Sequence, residues 1–269
     1  MIPFIEFGSG SNTIHFAHAN AYPPGTYRQL LEPLSERSRV LAIKHRPLWD
    51  DSDPWETLNS WQQVSADLIA FLDGQNVADI VGIGHSLGAV ATMYAALERP
   101  DLFSRLVLVE PVFLPPEFLA MMDIVDPRDI PLVAGALRRR NGWASRQELF
   151  DHYRGKKVFA RLADDALWDF VNFGTDEVNG EVKLAYSPEW EARFYAMAPR
   201  DIWELLPQLE HPTLAIRAAD SDTLYPLAWQ LWQEKQPDAT FVELDEAGHL
   251  VTHERPSELA NIILDWLDG

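Results

Sequence analysis

The sequence predicts an α/β domain, an open, mostly parallel, doubly wound sheet interrupted by a helical insertion. Three observations carry this reading. Short apolar runs alternate with segments of helical spacing over residues 1–111 and again over 201–269. One of these runs stops at a Gly-x-Ser-x-Gly pattern and resumes with helix formers, and from 112 to 200 the strand rhythm is lost. With 269 residues, 47% of them hydrophobic, the chain can bury one large core and still carry an insertion.

In order, residues 4–7 and 13–18 read as short strands separated by the turn residues Gly8 to Asn12. A strand-end loop, His18-Ala19-Asn20-Ala21-Tyr22-Pro23-Pro24-Gly25, leads to a helix over 27–35 that includes Pro33. Residues 39–44 form the next strand, 45–54 a polar loop, and Trp61, Val64, Leu68 and Leu72 space a helix over 60–72. The strand 78–83 enters the Gly-x-Ser-x-Gly pattern and the helix 87–98 leaves it, stopped by Pro100. Residues 106–109 are continuously apolar, as a parallel strand covered on both faces should be. The span 112–200 is helical in pattern, rich in aromatic residues and without a buried parallel strand, so it reads as an inserted cap. Alternation returns with strands at 213–216 and 240–244 and helices at 227–235 and 257–267, Pro256 standing where a first helical turn tolerates it. The expected division is a core of 1–111 and 201–269 with a cap at 112–200.

Twenty-two Lys and Arg against 41 Asp and Glu leave a formal charge of −19, which repels phosphate backbones and anionic lipid and argues against nucleic-acid or membrane partners. There is no cysteine, hence no disulfide and no thiolate site, and no His, Asp and Glu cluster at ligand spacing, so neither metal nor cofactor is expected. The start, Met1-Ile2-Pro3-Phe4-Ile5-Glu6, lacks the pattern of a secretion signal. The expectation is a cytoplasmic protein acting on a small molecule; a homodimer is compatible with the chain.

The chemistry gathers at Gly84-His85-Ser86-Leu87-Gly88. In such a nucleophile elbow a strand turns sharply into a helix, holding the serine in a strained conformation above the sheet, and a side chain at either glycine would press on the neighbouring strand or helix. A serine hydroxyl needs a base within hydrogen-bond reach and a third group to orient that base. His249, in Glu246-Ala247-Gly248-His249, follows the last strand and so shares the carboxyl edge of the sheet with Ser86. It is preferred over His253 because Gly248 lets its loop bend. For the orienting acid, Asp220, Asp222 and Glu110 all reach that edge, and residue types alone do not choose among them.

The order Ser86, acid, His249 resembles that of the capped serine hydrolases of the α/β-hydrolase fold, which are esterase- and lipase-like. The similarity covers nearly all of the chain outside the cap, in the elbow, His18-Ala19-Asn20, Asp220-Ser221-Asp222-Thr223-Leu224-Tyr225-Pro226, and Gly248-His249 followed by Glu254-Arg255-Pro256. It implies a sheet of about eight strands and a triad of Ser86, Asp222 and His249, the acid standing four residues before Pro226. Asp220 and Glu110 are the alternatives. It further implies an oxyanion hole from the Leu87 and Asn20 amides, and pocket contacts from His18, Ala19, His85, Trp143 and Trp168. Ala19 stands where the family usually has glycine, a departure expected to disturb the oxyanion loop. Arg138-Arg139-Arg140 reads as a solvated helix face, with a substrate carboxylate as the alternative partner. The implied reaction is hydrolysis of a small to medium apolar carboxylic ester. Thioester, carbon–carbon or lactone hydrolysis uses a similar triad, and the contrasting reading is a ligand-binding protein that keeps the pocket without turnover.

Overall fold

The computed structural model describes residues 1–269, and its sheet follows the alternation of apolar runs. The first half contains β1 (Phe4–Phe7), β2 (Asn12–Ala17), α1 (Arg28–Ser35), β3 (Ser38–Ile43), α2 (Gln62–Gln75), β4 (Ile80–His85), α3 (Leu87–Glu98) and β5 (Phe103–Val109). The inserted segment holds α4 (Pro116–Met122), α5 (Pro131–Leu137), α6 (Arg146–Arg154), α7 (Asp164–Phe173), β6 (Thr175–Val178), β7 (Glu181–Leu184) and α8 (Pro188–Tyr195). The chain then returns through α9 (Ile202–Leu205), β8 (Thr213–Ala218), α10 (Pro226–Lys235), β9 (Thr240–Leu244), α11 (Val251–Glu254) and α12 (Pro256–Asp268).

The main sheet has seven strands, against the eight or so expected, in the order β1-β3-β2-β4-β5-β8-β9. Only β1 runs antiparallel to its neighbour. Period-two alternation divides its side chains between two layers. Leu41, Ile43, Leu106 and Leu108 pack with Leu68, Leu72, Met93 and Trp232 on one face. Val40, Ala42, Val107 and Val109 pack with Leu30, Leu34, Leu259 and Ile263 on the other. Each inner strand is thus buried on both sides, which makes the sheet doubly wound and its carboxyl edge rigid. No helix is long and apolar enough to cross a membrane.

Two local differences from the sequence reading have physical causes. The helix expected over 27–35 begins at Arg28, because Pro24–Tyr27 form a separate 3-10 turn. The inserted segment is not wholly helical: β6 and β7 form an antiparallel hairpin with Asn179 and Gly180 at φ 53° and 80°. That Asn-Gly pair is a strong hairpin signal, but the flanking strands are too exposed to show an apolar run.

Both elbow glycines are required by close approach. A Cβ on Gly88 would lie 2.1 Å from the Ala17 carbonyl oxygen of β2, and one on Gly84 would lie 2.4 Å from the Gly88 oxygen. Gly88→Ala is therefore expected to destabilise the fold by about 3 kcal/mol or more. Gly74→Ala, at a helical site where a Cβ meets nothing within 4 Å, should stabilise it by about 0.5–1 kcal/mol. Denaturant midpoints of the two variants check this; a Gly88→Ala midpoint equal to wild type would mean that α3 does not sit against β2.

Candidate active site

β4 ends at His85, and Ser86 takes φ 57° and ψ −117°, a backbone that non-glycine residues rarely adopt. The strain is held by hydrogen bonds on both sides: the Ser86 amide donates to the Val109 carbonyl at 3.0 Å, and the Ser86 carbonyl accepts from Ala89 at 3.1 Å. The side chain stands at the head of α3, almost fully buried.

Ser86 Oγ lies 3.0 Å from His249 Nε2, in the loop between β9 and α11. The left-handed residue that bends this loop is Glu246, at φ 54°, and not Gly248. Gly248 serves otherwise, its amide donating to Glu254 Oε2 at 2.8 Å. His253 is turned away onto Thr26 Oγ1 (3.1 Å) and Thr252 Oγ1 (2.9 Å).

The group on the far side of the imidazole is Glu110. Its Oε2 lies 2.9 Å from His249 Nδ1, and the carboxylate is fully buried at the end of β5. Its other hydrogen bonds come from the Ala218 amide (2.7 Å, to Oε1) and the Ser221 hydroxyl (2.5 Å, to Oε2). Glu110 also has a positive φ, 49°, so both ends of the Ser86–His249–Glu110 chain rest on strained backbone. The expectation for Asp222 is corrected here. Asp222 is exposed and meets only the Thr223 hydroxyl (3.4 Å), while Asp220 pairs with Arg161 at 2.6 Å. The segment between β8 and α10 sends Ser221 toward the histidine's acid instead of supplying the acid. The signal for Glu110 is its place: a carboxylate ending a continuously apolar strand, followed by Pro111.

The Leu87 amide opens α3, where a helix leaves its first N–H groups free for an external acceptor. Neither it nor the Asn20 amide has an acceptor within the protein. The strain expected at Ala19 is absent, because the residue of positive φ in this loop is Ala21, at 65°. Ala19 is instead fastened by its amide, which donates to Tyr27 Oη at 3.0 Å.

That bond begins a chain through the core. Tyr27 Oη donates to His85 Nδ1 at 2.8 Å, and His85 Nε2 donates to the His249 carbonyl at 2.9 Å. The loop of Ala19, the elbow and the loop of His249 are thereby joined through two buried side chains. Burial first, and then the neighbouring His249 and His253, hold His85 well below the usual imidazole range, so it stays neutral, as one accepting and one donating nitrogen require. His85 and Ala19 are thus parts of the frame and not pocket contacts. The same correction holds for His18, fully buried, whose Nδ1 donates to the Ala19 carbonyl at 2.7 Å and whose Nε2 accepts from the His45 amide at 3.1 Å. Trp143 is 1% exposed, in an apolar cluster with Leu149, Leu167, Phe170 and Leu250. Trp168, half-buried against that cluster, stacks on Phe150 with ring centroids 4.6 Å apart. Both tryptophans therefore pack against this cluster.

Burial lowers His15 and His253 to about 3 and His45 to about 4, and holds His18 and His85 well below their ordinary value. The unfolded chain binds protons at these positions below pH ~6.5 while the native state does not. The stability they contribute is therefore complete above that pH and lost as pH falls toward 4, by up to about 1.4 kcal/mol per histidine per pH unit. Urea midpoints should fall steadily from pH 7 to pH 4.5; a flat profile would mean that these rings take up protons in the folded state.

Residues 16–262 match the model of the alpha/beta hydrolase family. Similar proteins include the uncharacterized hydrolase YugF of Bacillus subtilis (strain 168), 22% identical over 96% of this chain and 90% of that one. The putative carbamate hydrolase RutD of Klebsiella pneumoniae is 27% identical over 88% of this chain and 84% of its own. Among solved structures, E-2-(acetamidomethylene)succinate hydrolase superposes with a TM-score of 0.87 at 20% identity, covering 100% of this chain and 95% of that one.

Proposed function

Because the chain belongs to the alpha/beta hydrolase family, we propose that it is a serine hydrolase that transfers an acyl group from a small carboxylic ester to water. The observation that carries this reading is the unbroken hydrogen-bonded series from Ser86 Oγ through His249 to the buried Glu110 carboxylate.

In this reading His249 Nε2 removes the Ser86 proton as Oγ attacks the ester carbonyl, and the Leu87 and Asn20 amides receive the developing oxyanion. His249 then protonates the departing alcohol, leaving an acyl-serine. Water, deprotonated by the same nitrogen, attacks that acyl group; collapse of the second tetrahedral adduct releases the carboxylic acid and returns the proton to Ser86. Glu110 holds the Nδ1–H tautomer and stabilises the imidazolium formed in each half-reaction without itself taking the proton. The Ala218 and Ser221 donors hold that carboxylate in place while it does so.

The first test is covalent. A fluorophosphonate probe should label the intact protein once, on the peptide that contains Ser86, and 4-nitrophenyl esters should be cleaved at a rate that prior labelling abolishes. Absence of an adduct, with no cleavage above background, would overturn the reading in favour of a protein that binds without turnover.

A further inference from the structure

The arginine run at 138–140 does not behave as one face. Arg138 and Arg140 are exposed, Arg140 pairing with Glu148, but Arg139, just past the end of α5, turns inward to Glu191 of α8, with Nη2 2.5 Å from Oε2. This pair lies beside the loop of Asn20, whose Nδ2 donates to the Glu191 carbonyl at 3.1 Å. Tyr195 donates to Glu191 Oε1 at 3.3 Å. Burial first, then the Glu191 charge, keeps the Tyr186 and Tyr195 hydroxyls protonated and able to donate.

The cluster has more donors than its own acceptors use. Arg139 Nε and Nη2, Tyr153 Oη and Tyr186 Oη are buried without a hydrogen-bond partner, four donor atoms against two unpartnered acceptors, Glu191 Oε2 and Asn20 Oδ1. Buried polar groups are nearly always paired, so a concentration of unpaired ones beside an active site calls for a ligand. An ion pair that only tied α5 to α8 would need neither the tyrosine hydroxyls nor a free Nε. Glu191 lies against the guanidinium as its counter-charge, and Nε and the hydroxyls are left to a group that accepts several hydrogen bonds at once. In a chain of net charge −19, an anionic substrate also needs such a local cation to be held.

We infer that Arg139, Tyr153 and Tyr186 form a subsite for a carboxylate carried by the substrate, so that the molecule hydrolysed at Ser86 is a half-ester of a dicarboxylic acid. The inference rests on the hydrolase reading given above and names its substrate class.

The test compares mono-4-nitrophenyl esters of succinate, glutarate and adipate with neutral 4-nitrophenyl esters of the same chain length. Wild-type kcat/KM should favour at least one half-ester by tenfold or more. In Arg139→Gln that ratio should collapse to near one, chiefly through KM, and Tyr186→Phe, which removes only a hydroxyl, should lower it several-fold. Because Arg139→Gln leaves Glu191 without its partner, the double variant Arg139→Gln/Glu191→Gln is measured as well and should show the same collapse. A wild-type enzyme that prefers the neutral esters, or variants that fall equally on both series, would overturn the subsite. Calorimetric titration of Ser86→Ala protein with free glutarate separates the two readings. Arg139-dependent binding in a protein that cleaves no ester would uphold the subsite and sink the hydrolase. Ester cleavage without glutarate binding or half-ester preference would do the reverse.

Discussion

Ser86→Ala is expected to lower ester turnover by about 10⁴- to 10⁶-fold, because in a triad that works as a unit the loss of the nucleophile removes most of the benefit of the other two members. Little should change in the fold. The side chain removed is small, and the strain at φ 57° is carried by backbone bonds to Val109 and Ala89 that alanine keeps. Stopped-flow release of 4-nitrophenolate gives the rate, and the denaturant midpoint gives the stability. A variant that keeps more than about a hundredth of wild-type turnover would mean that Ser86 is not the attacking group, since the oxyanion donors and binding alone leave only a small remnant of catalysis.

Glu110→Gln is expected to cut kcat by about 10³- to 10⁴-fold, while Asp222→Asn and Asp220→Asn stay within about threefold of wild type, since an orienting acid acts only through contact with the base. The amide is nearly isosteric but presents an NH2 group, with two donors, where the carboxylate has only acceptors. With the NH2 toward His249 and Ser221 it imposes the wrong tautomer, and with the NH2 away it meets the Ala218 amide. The lesion should therefore fall on kcat more than on KM. Equal losses at Glu110 and Asp222 would show that the exposed aspartate reaches the histidine during turnover and that the geometry seen here is a resting arrangement.

Most of the sheet was legible because its inner strands are buried on both faces and so read as apolar runs, and because Ser86 and His249 follow such runs directly. Glu110 was among the candidates, but Asp222 was preferred on a spacing to Pro226 taken from resemblance. Spacing along a chain does not say which carboxylate is buried, and that is decided by donors from β8 and from Ser221, remote in sequence. The hydrogen-bonded frame of Tyr27 and His85 was illegible for the same reason: its partners are separated by 58 and 164 residues. The packing of Trp143 and Trp168 was not legible, because an aromatic residue at helical spacing looks alike whether it faces a ligand or a core. Arg139 shows the converse, an inward residue hidden in a run that reads as solvated.

The placement of the acid on β5 divides the site mechanically. Ser86 and Glu110 lie at the ends of adjacent strands, coupled directly by the Ser86 amide to the Val109 carbonyl, and so move as one body. Only His249 arrives from elsewhere, beyond the edge strand β9, and the alignment of the three side chains reduces to the tolerance of that single joint. His85 closes the joint by gripping the His249 backbone, leaving both nitrogens of the His249 ring to Ser86 and Glu110.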